Sequence, residues 1–338
     1  MTEFRRDPLT HRWIITGFAK NNPEELIPVD LKKSSGVCPF CPGNEYLTPP
    51  ENYAVRTKGQ ANEPGWEIRV TPNRATDMSV VDLQKRPQGS VYDLQNASGL
   101  HETIIESPSH ISRFSQLEIP AIISLLNTFQ KRCWEHRKNH QVKSLLIFRN
   151  QGKGCAGTYE HAHSQMISVP FVFKAIENEL NGAKKFFEQK NRCIFCDMYR
   201  EENTIQDRLV FQKGDYIAWT PFASRFPFEV WILGQPHQSQ FTQAEPKTFE
   251  DLAHVLKTVL TKIETTLGDT PISFVLHSAP LRFETEEEIA LSDQAYHWHI
   301  EILPHAFPAG GFEWGGDFFL SPPTPEACAK ILRDQKIL

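Results

Sequence analysis

The chain has 338 residues, 40% hydrophobic and 23% charged, with a formal net charge of −5. This is enough for two ordinary domains or one large one with a sizeable core, and the acidic balance excludes a protein that holds nucleic acid or an anionic membrane through its overall charge. No stretch nears the roughly 20 apolar residues of a membrane helix, and the start, Met1 to Asp7, has no signal-peptide core. The expectation is a cytoplasmic protein acting on a small ligand.

Residues 1–65 show no sustained periodicity beyond a short strand at Trp13-Ile14-Ile15, and contain the tight knuckle Cys38-Pro39-Phe40-Cys41. Strands are predicted at Glu67–Val70 and Glu102–Glu106, the second stopped by Ser107-Pro108-Ser109-His110. Apolar residues at helical spacing and a Pro in the first turn predict a helix over Pro120–Arg137. A buried strand, Ser144–Phe148, then runs through a Gly-rich loop into Glu160-His161-Ala162-His163-Ser164-Gln165.

After Pro170 a helix is predicted over Lys174–Lys190, then a second knuckle, Cys193-Ile194-Phe195-Cys196. Strands follow at Arg208–Gln212, Tyr216–Thr220 and Phe228–Leu233, a helix over 246–266, strands at Ile272–Leu276 and Tyr296–Leu303, and a closing helix at Pro325–Leu332. Each half thus runs Cys-x-x-Cys, a His in a Pro-containing turn (His110, His237), a helix, a strand, and a strand carrying His-x-His. Duplication of one α+β unit is the economical account, with a boundary near residues 170–190.

Seven cysteines, four of them in two Cys-x-x-Cys pairs, read as metal or redox chemistry before disulfides in a reducing compartment. Cys133, Cys155 and Cys328 read as buried small hydrophobes. Zinc takes four N or S ligands in a tetrahedron, and a Cys-x-x-Cys pair supplies two thiolates that distant histidines complete. The first predicted set is Cys38, Cys41, His110 and His161; the second is Cys193, Cys196, His237 and His297. His254, His277 and His305 compete for the second, and iron is an alternative to zinc there. On a strand, His161, His163 and Gln165 share one face, since side chains alternate with period two.

The chain resembles the galactose-1-phosphate uridylyltransferases and the related ADP-sugar phosphorylases, the transferase branch of the histidine-triad superfamily. The likeness rests on Asp7-Pro8-Leu9-Thr10-His11-Arg12-Trp13, Cys38-Pro39-Phe40-Cys41, Arg69-Val70-Thr71-Pro72-Asn73-Arg74, Gly99-Leu100-His101-Glu102, Glu106-Ser107-Pro108-Ser109-His110, Arg149-Asn150-Gln151-Gly152, His161-Ala162-His163-Ser164-Gln165 and Ala309-Gly310-Gly311-Phe312-Glu313. It implies an α+β fold of two duplicated histidine-triad-like halves (1–172 and 173–338), a mainly antiparallel sheet forming a half-barrel with flanking helices, and a homodimer.

By that resemblance His163 is the nucleophile, His161 the zinc ligand beside it, and Gln165 the donor to the phosphoryl oxygens of a covalent intermediate. Asn73, Asn150 and Thr158 contact the nucleotide, and Phe312 with Glu313 lines the sugar site. The reaction implied is ping-pong transfer of a nucleoside monophosphate from a nucleotide sugar such as UDP-glucose to a hexose 1-phosphate, or to phosphate from ADP-glucose, through a nucleotidyl-histidine.

Two departures are visible. Lys20 is the sole cation where the family has an Arg-rich segment, and Phe319 stands where galactose-specific members have Gln. The base, uracil or adenine, stays open. The competing readings are a nucleotide hydrolase, which would carry a third His in place of Gln165, and an inactive zinc-stabilised nucleotide-binding protein.

Overall fold

Runs of alternating polarity become sheet where they find partners, and the computed structural model, which describes residues 2–16, 36–73, 76, 78, 91–152 and 159–337, pairs them in two sheets. The N-terminal half contributes β1 (Glu3–Arg6), β2 (Trp13–Thr16), β3 (Tyr53–Arg56), β4 (Trp66–Pro72), β5 (Asp93–Asn96), β6 (Leu100–Ile105), helix α1 (Ile119–Arg137), β7 (Ser144–Gln151) and β8 (His163–Val169). The C-terminal half contributes α2 (Lys174–Lys190), α3 (Ile194–Ile205), β9 (Leu209–Lys213), β10 (Tyr216–Trp219), β11 (Val230–Leu233), α4 (Phe249–Leu267), β12 (Ile272–His277), α5 (Glu286–Ala295), β13 (His299–Pro304), α6 (Gly311–Gly316) and α7 (Pro325–Asp334). No described helix is long and apolar enough to cross a membrane.

Strands β2, β1 and β5 form a small sheet. The other ten form one open sheet in the order β3-β4-β6-β8-β7-β12-β13-β11-β10-β9. Read from either edge the order is the same, with β3, β4, β6, β8, β7 answering β9, β10, β11, β13, β12. The halves meet where β7 pairs antiparallel with β12, Asn150 opposite Ser273. The duplication inferred from the sequence is therefore a twofold relation about this seam.

One face of the sheet is apolar: Ile104, Ile147, Met166, Leu276, Ile300 and Ile302 point into the main core. Helices α1 and α4 cover it with Ile122, Leu125, Phe129, Leu252, Leu256 and Val259, all at most 1% exposed. Each such side chain taken out of water stabilises the fold by about 1.5–3 kcal/mol. Because alternate residues point the other way, burying this face commits His163, Gln165, Thr103, Phe148, His299 and Glu301 to the opposite one.

Over the C-terminal half that opposite face is also covered. There α2 and α3 pack Ile176, Leu180 and Phe195 against Ile217, Trp219 and Leu233. Two helices in this layer, α3 and α5, are absent from the sequence expectations. Cys193 is the N-cap residue of α3, so the second cysteine pair opens a helix, whereas the first lies in turns.

Candidate active site and metal centres

The pleat places the strand residues of the site, and the turns beside the strands place the rest. In the N-terminal half Thr103 lies opposite Gln165 and Ile105 opposite His163, while Asn73 continues β4 and donates its backbone N–H to His101 O at 2.8 Å. His161 precedes β8, held by the backbone bonds of its neighbour Ala162 to Ile111 O (2.7 Å) and from Glu106 N (3.1 Å).

The first predicted metal set is assembled. The donor atoms of Cys38, Cys41, His110 and His161 all lie within 4.8 Å of one another. Cys41 Sγ is 3.3 Å from His110 Nδ1 and 3.6 Å from His161 Nδ1, and Cys38 Sγ is 3.7 Å from His161 Nδ1. A tetrahedral zinc with bonds of about 2.3 Å to sulfur and about 2.0–2.1 Å to nitrogen would separate S and N by about 3.6 Å. His161 Nε2–H donates to Ser107 O at 2.8 Å, which leaves Nδ1 bare toward the thiols, the usual outer bond of a metal-ligating imidazole. Burial lowers the His161 pKa, keeping the ring neutral as a ligand must be. Burial, together with the neighbouring Cys38, raises the Cys41 thiol, a cost that a cation would reverse.

The second set is partly assembled. Cys193, Cys196 and His237 converge within 4.8 Å, with Cys196 Sγ 3.2 Å from His237 Nδ1 and His237 Nε2–H on Asp293 O at 2.8 Å. A hydrogen bond from Cys193 favours the Cys196 thiolate, and His237 supports it. The fourth expected ligand, His297, stands outside this group, its ring 5.1 Å from that of His237. Its Nδ1–H is taken by Trp298 O at 2.9 Å, so only Nε2 could ligate, and that nitrogen is buried without a hydrogen-bond partner. Burial pulls the His297 pKa down to about 4, so the ring carries a lone pair at neutral pH.

Beside each metal group stands the second histidine of its pair. His163 Nδ1–H donates to His161 O at 2.8 Å, which leaves Nε2 as a bare lone pair. His163 is 7% exposed, and burial lowers its pKa, so the neutral form is the resting one. Phe40, between the two cysteines of its knuckle, packs on His163 with ring centroids 5.3 Å apart, and Tyr159 on Phe40 at 4.6 Å. The metal knuckle thereby fixes the position of the second ring as well as the first.

The C-terminal half repeats this and then closes it. Phe195, between Cys193 and Cys196, lies 5.1 Å from His299, and His299 Nδ1–H donates to His297 O at 3.1 Å. On the neighbouring strand, however, Trp231 stands opposite Glu301 where the N-terminal half has Thr103 opposite Gln165. The Trp231 ring stacks on His299 at 4.9 Å, and His299 has no exposed surface. Glu179 of α2, His277, His299 and Glu301 form a further group within 4.8 Å. Glu179 accepts from His277 (2.8 Å) and Tyr296 (2.7 Å), and Glu301 from Arg225 (2.6 Å), so each carboxylate already has protein donors. Of the second histidines of the two pairs, His163 keeps some exposed surface and His299 none.

The remaining expectations divide. Asn73 Nδ2 donates to Thr103 Oγ1 (3.0 Å) and to Gln165 Oε1 (3.2 Å), and Asn150, half-buried on the same face, accepts from Ser273 at 2.7 Å. Phe312 and Glu313 lie on α6, where Phe312 meets Phe318 edge-on at 5.6 Å and Glu313 accepts from Gly310 N–H at 2.8 Å. No bond or ring contact among the described residues joins them to His163. Phe319 packs on Phe226 at 5.7 Å. Thr158, Cys155, Lys20 and Arg74 lie outside the described residues. The sequence reading assigns no role in the site to Phe40, Tyr159, His101 or Glu179.

Comparison with known proteins meets this geometry. Residues 20–172 match the family described as galactose-1-phosphate uridyl transferase, N-terminal domain, and residues 179–306 its C-terminal domain. The chain is 30% identical to an ADP-glucose phosphorylase of Arabidopsis thaliana, over 98% of this chain and 92% of that one. It is 26% identical to a galactose-1-phosphate uridylyltransferase of Thermotoga maritima, over 100% and 99%. A crystal structure of an Arabidopsis thaliana ADP-glucose phosphorylase with bound ADP-glucose covers 100% of both chains at 27% identity, with a TM-score of 0.76.

Proposed function

Since the chain belongs to the galactose-1-phosphate uridylyltransferase family, we propose that His163 carries a nucleoside monophosphate between two phosphate acceptors. The chain is a nucleotidyltransferase of the uridylyltransferase type. In the first step His163 Nε2 attacks the α-phosphorus of a nucleotide sugar such as UDP-glucose; a P–N bond forms, the P–O bond to the β-phosphate breaks, and sugar 1-phosphate leaves. In the second, a phosphate oxygen of the incoming hexose 1-phosphate attacks the same phosphorus and the P–N bond breaks. The observation that carries this reading is the bond from His163 Nδ1–H to His161 O, because it selects the tautomer whose Nε2 is nucleophilic.

Gln165 presents an amide where charge grows on the nonbridging oxygens, with Asn73, Asn150 and Thr158 toward the nucleotide and Phe312 with Glu313 toward the sugar. Cys38, Cys41, His110 and His161 would hold a zinc, and Cys193, Cys196 and His237, with His297, a second zinc or an iron. Closed shells of this kind stabilise the fold and supply no open coordination position. The halves are taken as residues 1–172 and 173–338, and the protein as a cytoplasmic homodimer. The cysteines among the described residues are free, as a reducing compartment would keep them.

A second reading, phosphate as acceptor and ADP-glucose as donor, is favoured by the 30% identity to an ADP-glucose phosphorylase. Incubation with radiolabelled UDP-glucose and ADP-glucose separates the two readings: acid-labile label is expected on His163 from one of them. Absence of label from both, and from other nucleotide sugars, would sink the reading.

A further inference from the structure

Gln165 must turn its amide nitrogen toward the ligand to donate, and a free carboxamide has no preference between its two ends. In this structure its oxygen is held by two donors, His101 Nε2 at 2.9 Å and Asn73 Nδ2 at 3.2 Å. His101 reaches it diagonally: it sits opposite Ile167, two residues along β8 from Gln165 on the same face. The tautomer of His101 follows from its two partners: Gln165 Oε1 can only accept, which puts the proton on Nε2, and the Thr76 hydroxyl, with Oγ1 2.8 Å from Nδ1 on the other side of the ring, is free to donate to that bare nitrogen. Burial lowers the His101 pKa, so the neutral ring with one N–H persists at pH 7.

The neighbour Glu102 holds the backbone that carries His101. Its carboxylate accepts from Arg132 at 2.9 and 2.7 Å and from Asn52 at 2.8 Å on the opposite, core side of β6. The dipeptide His101-Glu102 thus has one side chain in the site and the other clamped beneath it.

We propose that His101 is a positioning residue that fixes the orientation of the Gln165 amide through the relay Thr76, His101, Gln165. The proposal rests on the reading of Gln165 as a donor to the phosphoryl oxygens. Removing the Nε2 donor lets the amide turn its oxygen toward the phosphoryl group, where it repels the charge it should stabilise. The loss then falls on formation of the covalent intermediate and not on binding. A glutamine at position 101 has a donor nitrogen at a reach close to that of the imidazole Nε2, so it should substitute for the histidine, whereas leucine cannot.

The test is the single-turnover rate of nucleotidyl-enzyme formation, followed by intact mass with UDP-glucose and with ADP-glucose as probes. Expected are a 10- to 100-fold slower rate in His101→Leu at unchanged half-saturating donor concentration, recovery to within about threefold in His101→Gln, and no further effect of His101→Leu on a Gln165→Ala background. Thr76→Val, nearly isosteric, should slow the step by a smaller factor and serves if His101→Leu fails to fold. A wild-type rate in either His101→Leu or, in its place, Thr76→Val overturns the proposal alone. An equal loss in the Gln165→Ala background does the same, since His101 would then not act through the amide. Wild-type protein that takes no label from either probe overturns the parent reading and the positioning role together.

Discussion

The carbonyl of His161 accepts the Nδ1 proton of His163 at 2.8 Å, so the residue placed to bind the metal also sets the tautomer of the residue placed to attack. His161 cannot turn, because its Nε2–H is held by Ser107 O and its Nδ1 faces two thiols. The Cys38-Cys41-His110-His161 group and the His163 ring are one mechanical unit, with Phe40 as its third contact.

Replacing His163 with Gly should abolish transfer, a loss of at least about a thousandfold in kcat, since the proposed covalent intermediate forms on its Nε2. Thermal unfolding should change little beyond a cavity effect. Turnover assays with both nucleotide sugars check this, and residual turnover near the wild-type rate would reassign the nucleophile.

The rate should depend on pH with a low acid limb. Burial is the largest influence on His163 and lowers its pKa below the ordinary 6.5, with the bond to His161 O opposing. Only the neutral ring attacks, so kcat/KM should fall on the acid side with a midpoint below 6.5. A limb with its midpoint above 6.5 would contradict the assignment.

Cys41→Ser should remove one metal ion per chain, counted by elemental analysis, and lower Tm by on the order of 10 °C, because binding energy at a closed site is folding energy. A chelator should act in the same direction on the wild type. Unchanged metal content would show that the Cys38 group is not a metal site.

Glu102→Gln should destabilise the protein by about 3–5 kcal/mol at pH 7, by leaving Arg132 buried without its anion. Burial alone would raise the Glu102 carboxyl, but the hydrogen bond and charge of His136, and those of Arg132, hold it at about 2. A depressed carboxylate contributes stability that is complete above its unfolded pKa of about 4.5 and is lost as pH falls toward 2. Denaturant titrations should therefore show a smaller loss of stability between pH 5 and 3 in the variant than in the wild type.

Much of this was legible because ligand spacing is a local property. Two cysteines in one turn, and histidines two apart on a strand, appear as short motifs, and the four residues of the first-half group and the duplicated order followed from them. What was missed is carried by neighbours distant in the chain. His101 stands just ahead of the predicted strand Glu102–Glu106 and has no visible role until β6 is laid beside β8, and Glu179 reads as one more charge on a helix until α2 is folded over β12 and β13. The omission of α5 is different, since its capping box was in view: Thr285 accepts from Glu288 N–H at 3.2 Å, as Thr-x-x-Glu before an apolar residue signals. The short strands β1, β3 and β5, of four residues each, are too brief for alternation to stand out.

The seam between β7 and β12 has a consequence for how such a chain could arise. A twofold relation across an antiparallel strand pair is the one that two identical chains would adopt. A protein consisting of a single half would have carried a bare strand edge complementary to itself, and such edges seek partners. Joining two copies end to end made the partner permanent. In a joined chain the two copies need not stay identical, and here Trp231 covers the second histidine of one copy at the position where the other has Thr103.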